Sequence, residues 1–256
     1  MKAINIQEVR SYAYSLITFC TMSKKERNVA KMNLENFTGK AEAYAKGRPG
    51  YPKAAIEKIL EFALPDTVFA DIGAGTGKFT VKLAEHGFSM YAIEPNRDMR
   101  MQLALTLAPF TNAEIVDGTA EATTLPDNSI DILTVAHALH WFNLDAFQAE
   151  CRRIVKPGGL VIAIYNHEPG REMTDFCKQT IDVFFKNPTT WTFPNPIKYT
   201  RDNWLAYIAS QDDSPLPNDP EYDAHIASLN AAFDRDSVNG LLRCDRVTKV
   251  YSERIE

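Results

Sequence analysis

Residues 70–79 read ADIGAGTGKF, an apolar run that ends in an acid, Asp71, and then sets Gly73, Gly75 and Gly77 at every second position around Ala74. Glycines so placed let a backbone come close to a ligand where side chains would block it. A dinucleotide loop spaces its glycines G-x-G-x-x-G and offers N–H groups to a pyrophosphate. Here the spacing is G-x-G-x-G, and a carboxylate stands two residues before the first glycine, badly placed beside a pyrophosphate. It suits a cofactor with cationic groups and no phosphate. S-adenosylmethionine (SAM), with its sulfonium and ammonium, has that character, and Glu94 at the end of SMYAIE offers two oxygens for a pair of ribose hydroxyls. SAM is favoured over NAD on these grounds.

The elements that must hold these residues are legible as an alternation. The runs TVFADIG, SMYAIE, AEIVD, DILTVA and LVIAIY are β-rich. Between them lie helical patterns, with Phe79 and Leu83, then Met99, Leu103 and Leu107, then Phe147, Cys151, Ile154 and Val155 on one face. Strands separated by helical crossovers predict a doubly wound α/β domain with a parallel sheet. Ahead of it, PKAAIEKILEFA predicts a helix opened by Pro52. Beyond Tyr165 the alternation stops: 171–185, 201–211 and 221–234 are helical in pattern, 187–199 holds at most a short strand, and LLRCDRVTKVY is a closing strand.

Composition bounds the partners. The 256 residues are 45% hydrophobic, which fits one main domain. Residues 1–31 carry six Lys/Arg against two Asp/Glu within a chain of net charge −5, so the remainder is markedly acidic. That balance argues against nucleic acid or an anionic membrane as partner. The four cysteines have no metal or redox spacing, which points to a reducing cytoplasmic setting. SYAYSLITFC is about half the length of a membrane span and lacks a cleavage site. Residues 1–31 are expected to be a peripheral helical extension, dispensable for cofactor binding, ahead of a domain over 32–256 that starts naturally at Met32.

The succession DIGAGTG, AIEPNRDM, VDGTAEATTLPDNSIDIL, HALHWF and RRIVKPGGL resembles the class I SAM-dependent methyltransferases, in particular the small-molecule branch of trans-aconitate methyltransferase-like enzymes. The resemblance runs from Phe37 to Tyr165 and more loosely onward. It implies a Rossmann-like, seven-stranded, mostly parallel sheet with an antiparallel final strand, its core over 66–166 and its acceptor pocket and C-terminal strands over 167–256. It places Asp71 near the cofactor's ammonium, the glycines along its methionine part and Glu94 on its ribose. Thr119, Ala120 and Glu121 fall at the adenine edge; many relatives have Asp where Thr119 stands, which shifts that contact to the Ala120 backbone or Glu121. Met99 is either an adenine contact or a core residue. Ala136 and His137 face the methionine part, and Tyr44 and Arg48, in YAKGRPGYP, form a lid whose Arg48 pairs with the cofactor carboxylate. Part of the acceptor pocket is expected from the segment holding Trp191, Phe193, Trp204 and Tyr207.

Methyl transfer aligns two reactants and needs a base only if the acceptor arrives protonated. His140 is the candidate base, with a ring hydrogen-bonded beside Trp141 as its alternative role; His167 stands second. His137 and His140 have no nearby carboxylate or cysteine to complete a metal site, so no metal is expected. AHAL after the fourth strand lacks the Asn/Asp-Pro-Pro-aromatic motif of amino-directed nucleic-acid enzymes, and neither a Pro-Cys nucleophile nor CxxxCxxC occurs. The expected acceptor is a small molecule, a carboxylate or a hydroxyl. The other readings are a SAM-binding regulatory protein without turnover and an NAD-dependent oxidoreductase.

Overall fold

In the computed structural model the described residues are 37–167, 175–211 and 214–255. The predicted extension over 1–31 and the natural start at Met32 lie outside them. Among the described residues two helices come first, α1 (Ala41–Gly47) and α2 (Lys53–Leu60). The alternation then follows: β1 (Val68–Ile72), α3 (Thr80–Ala84), β2 (Ser89–Ile93), α4 (Arg97–Leu107), β3 (Ala113–Val116), β4 (Ile130–Ala136), α5 (Leu144–Ile154) and β5 (Val155–His167). The C-terminal third contributes α6 (Asp175–Phe184), β6 (Thr189–Pro194), β7 (Ile197–Tyr199), α7 (Arg201–Ala209), α8 (Tyr222–Asp236), β8 (Leu242–Cys244) and β9 (Val247–Arg254). Side chains open several helices: Asn96 accepts from the Met99 N–H at 3.0 Å, and Asn143 from that of Ala146 at 3.2 Å.

Seven strands form one sheet in the order β3-β2-β1-β4-β5-β9-β6. All pairings are parallel except those of β9, which runs antiparallel to β5 and to β6. The expected α/β fold with one antiparallel strand is therefore present. Period-two burial splits the core between the two faces. Ala70, Ile72, Leu133, Val135 and Val161 pack toward α5 and α6, while Phe69, Ile132, Ile162 and Ile164 pack toward α2, α3 and α4. Chain order reverses between β1 and β4, and their carboxyl ends open the crevice where such sheets bind ligands.

Two readings change. LLRCDRVTKVY is two strands: β8 pairs with β7 in a separate ribbon, and β9 enters the main sheet. The break falls at Asp245–Arg246, where the Arg246 carbonyl accepts from the Asn195 N–H at 2.7 Å and its guanidinium donates to the Tyr207 hydroxyl at 2.9 Å. The short strand anticipated within 187–199 is two strands as well, β6 of the main sheet and β7 of the ribbon.

Candidate active site

The glycine loop leaves β1 at the reversal point. Gly73 has φ +70°, and a Cβ there would lie 2.6 Å from that of Ala138, so the loop is pressed against the segment after β4. Gly75 has φ +58°, and a Cβ on it would meet only Tyr44 Cε1, at 4.0 Å. One glycine is thus needed for packing inside the protein. The other keeps a space clear above the loop, and Tyr44 covers that space.

Glu94, buried at the end of β2, accepts from the Gly75 N–H at 2.8 Å through Oε2 and from the Asn96 N–H at 2.9 Å through Oε1. Burial raises its pKa, opposed by those two amides and by Arg100. Arg100 donates to the Glu94 carbonyl at 2.9 Å and to Asp117 at 2.7 Å, fixing the turn that carries the acid. Each carboxylate oxygen keeps lone-pair capacity beyond its one amide.

Asp71 stands behind the loop, fully buried, and its register partners are Ala92 on β2 and Thr134 on β4. Thr80 donates to its Oδ2 at 2.6 Å and Thr134 to its Oδ1 at 3.0 Å. Burial lifts its pKa to about 7 against the pull of those two hydroxyls. In this geometry Asp71 ties β1, β4 and the first residue of α3 together beneath the loop. Thr80 and Thr134 were not singled out from sequence; the one signal was the place of Thr80 just after the glycine motif, and Thr134 becomes a neighbour only when β4 pairs with β1.

Met99 is 3% exposed and packs as a core residue of α4. Thr119 and Ala122 exchange two backbone bonds of 3.2 Å, making a tight loop with Ala120 buried within it. Glu121 accepts from the Asn143 N–H at 2.8 Å, at the start of α5.

Ala136 ends β4, and His137 follows with φ +58°, a left-handed conformation rare for a side-chain-bearing residue. Its N–H donates to the Ile164 carbonyl at 2.9 Å, and its Nε2 accepts from the Asn166 N–H at 2.9 Å. His140 Nδ1 lies 3.3 Å from the Tyr165 hydroxyl, and the Tyr165 ring lies 4.9 Å from that of His137. Burial, with the Arg48 charge nearby, holds His137 down at about 3 and His140 at about 4. His167 is held at about 4 by burial and Lys249. All three imidazoles are therefore neutral near pH 7.

The cover comes from α1. Tyr44 is half-buried, desolvation raises its pKa, and the Arg48 guanidinium lies 4.9 Å from its ring and 5.6 Å from that of Tyr207. Arg48 donates through Nε and Nη2 to Ser210, so two of its nitrogens serve the end of α7. A Cβ on Gly47 would sit 2.0 Å from the Tyr207 nitrogen, so only glycine allows α1 to meet α7 this closely. Behind the cover, Asn195 and Asn166 both donate to the Gly50 carbonyl, at 3.1 and 3.2 Å. Tyr44, Arg48, His137 and Tyr207 border one small cavity of about 80 Å³, together with Tyr51, Lys78, Asn166 and Arg246, whose part was not foreseen. Of the four aromatics named from sequence, Tyr207 borders the cavity; Trp191 instead lies against Phe62, with ring centres 5.7 Å apart.

Residues 70–163 match the family described as methyltransferase domain. An uncharacterized methyltransferase of Mycobacterium tuberculosis is 39% identical over 131 residues, 51% of this chain and 52% of its own length. The chain thus spans about half the length of the curated relatives it matches. Among solved structures, a protein provisionally named a type II methyltransferase, from Anaeromyxobacter dehalogenans, superposes with TM-score 0.59 at 21% identity, covering 81% of this chain and 97% of that one. Phosphoethanolamine N-methyltransferase 2 of Haemonchus contortus, solved with phosphomonomethylethanolamine and S-adenosylhomocysteine, gives TM-score 0.50 at 13% identity, covering 88% of this chain and 59% of that one. The fold is that of the class I methyltransferases, and the stretch similar to the methyltransferase domain family is the one that carries the glycine loop, Glu94 and the two histidines.

Proposed function

We propose that the cleft binds SAM and directs methyl transfer to a small-molecule acceptor, a carboxylate in preference to a hydroxyl. The donor set supports the cofactor: a carboxylate with spare acceptor capacity at the end of β2, a space above Gly75 that any side chain would fill, and no phosphate-binding spacing in the loop. Bound there, SAM supplies a methyl group already activated by its sulfonium. Glu94 would hold the ribose hydroxyls, Gly73 to Gly77 would line the methionine part with Asp71 bracing them from behind, and Tyr44 would exclude water from above.

The observation that carries the choice of acceptor is the pair of half-buried imidazoles, whose pKa values desolvation lowers. A ring whose conjugate acid titrates at about 4, as in His140, is a weak acceptor for a hydroxyl proton. A carboxylate arrives without that proton, and alignment alone then serves the displacement. In this reading His140 orients the acceptor with Tyr165. The match to the methyltransferase domain family and the resemblance to the small-molecule branch support it. The test is calorimetry with SAM and NAD, followed by label transfer from methyl-labelled SAM into a pool of organic acids and alcohols. Tighter NAD binding overturns the cofactor assignment, and label found only in ethers of alcohols overturns the carboxylate preference.

A further inference from the structure

A second cavity, of about 400 Å³, lies away from the cleft. Val161 and Glu253, paired across β5 and β9, both line it, and the next pair outward, Leu160 and Arg254, sets it toward the amino end of the paired stretch of β5. The glycine loop and Glu94 stand at the opposite, carboxyl ends of their strands. None of its lining residues borders the cavity beneath Tyr44. Its size is that of a small-molecule pocket, about 300–1,000 Å³. The floor is apolar: Cys151, Val161, Phe184 and Phe185 are buried members of one core cluster, and Ile255 packs against them.

The mouth is cationic, in a chain whose net charge is −5. Arg152 in the last turn of α5, Lys186 just past α6 and Arg254 at the end of β9 border it with exposed side chains, and among the described residues no carboxylate pairs with them. Glu253, the one acid among the described lining residues, has both oxygens occupied, accepting from the Lys186 N–H at 2.9 Å and the Asn187 N–H at 2.7 Å. The cations are not spent on the helix ends either. Those carbonyls already have donors: Asn128 N–H on Arg153 at 2.9 Å, Ser129 N–H on Ile154 at 2.8 Å and Gln148 Nε2 on Phe184 at 3.1 Å. An apolar floor beneath a ring of unengaged cations complements a molecule with an apolar body and an anionic head. The geometry points to a second binding site here for an amphipathic monocarboxylate, its chain on Phe184, Phe185 and Val161 and its head between Arg152 and Lys186. Glu253 in the wall disfavours a doubly charged head, and the planar Arg152 fork suits a carboxylate.

The test titrates the full chain by calorimetry with octanoate, 1-octanol, acetate and octyl phosphate, alone and then with S-adenosylhomocysteine at saturation. Octanoate is expected to bind at one site, tenfold or more tightly than 1-octanol or acetate and more tightly than octyl phosphate, with its affinity unchanged by S-adenosylhomocysteine. The double variant Arg152→Gln, Lys186→Gln is expected to bind octanoate no better than 1-octanol, and Cys151→Phe, which fills the floor, to bind none of the probes. Thermal midpoints are measured for both variants; the rim pair leaves the core untouched, so the charge comparison stands even where Cys151→Phe does not fold. No binding of octanoate, equal binding of 1-octanol or of acetate, undiminished binding in the rim variant, or displacement by S-adenosylhomocysteine overturns the site. Tighter octyl phosphate overturns the choice of head group. Failure of S-adenosylhomocysteine itself to bind defeats the reading of the cleft, and the remaining comparisons still decide this one.

Discussion

Arg48 and Ser210 join two distant stretches of the chain: Nε donates to the Ser210 hydroxyl at 2.8 Å and Nη2 to its carbonyl at 2.9 Å, across 162 positions. Arg48 thereby closes the cover by fastening α1 to α7. Arg48→Ala is expected to weaken SAM binding by about 1.5–3 kcal/mol, the range for hydrogen bonds to a charged group. Arg48→Lys restores little of it, since an ammonium cannot reproduce the fork. A double-mutant cycle with Ser210→Ala, read by calorimetry, should give a non-zero coupling energy; additive losses would detach the cover from α7.

Glu94 spends one acceptor site of each oxygen on the loops it joins, Gly75 on one side and Asn96 on the other. Glu94→Ala is expected to cost roughly 2–4 kcal/mol of SAM affinity, and Glu94→Gln to retain part of it. Calorimetry reads both. Wild-type affinity in the alanine variant would remove Glu94 from the ribose.

The two loop glycines separate fold from binding. Gly73→Ala combines a left-handed backbone with overlap on Ala138 and is expected to lower unfolding free energy by about 2–4 kcal/mol in denaturant titration. Gly75→Ala meets no neighbour closer than Tyr44, so its stability loss is smaller, about 1–2 kcal/mol, while its SAM affinity falls disproportionately. The reverse order in the two measurements would contradict the space assigned to Gly75.

Buried acid and buried imidazoles pull stability in opposite directions with pH. His140 titrates at about 4 in the folded chain and near 6.5 when unfolded, so between these values the unfolded chain binds more protons and stability falls as pH falls. Asp71 titrates at about 7 folded and near 3.9 unfolded, so the folded chain holds more protons between them and stability falls as pH rises. In thermal unfolding from pH 4 to 7, the midpoint of His140→Gln relative to wild type should rise toward pH 4, and that of Asp71→Asn should rise toward pH 7. Midpoint differences independent of pH would place both groups in solvent.

The readable part of the molecule was the part built from local pattern. Period-two strands and period-3.6 helices gave β1 to β5 and α2 to α8 in outline, and strand-end acids beside glycines marked Asp71 and Glu94. What escaped was decided across long separations. Lys78 is an ordinary loop cation until Arg246 and Tyr207, far along the chain, are brought to the same cavity. Asn166 and Asn195 are unremarkable in sequence, yet together they grip the Gly50 carbonyl. Asp71 stood out in the sequence beside the glycines, but its hydrogen bond to Thr134 behind the loop depends on the pairing of β4 with β1.

The place of β9 bears on how the protein comes off the ribosome. β9 lies between β5 and β6, paired with β5 from Leu160 to His167 and with β6 from Thr189 to Pro194. Translation delivers β5 and β6 well before the strand that joins them, and α1 well before its fastening on α7. Until residues 247–254 pair, β5 keeps an open edge along Leu160–His167, the kind of edge that can pair with another chain. Pairing of residues 247–254 closes that edge and brings β6 into the sheet.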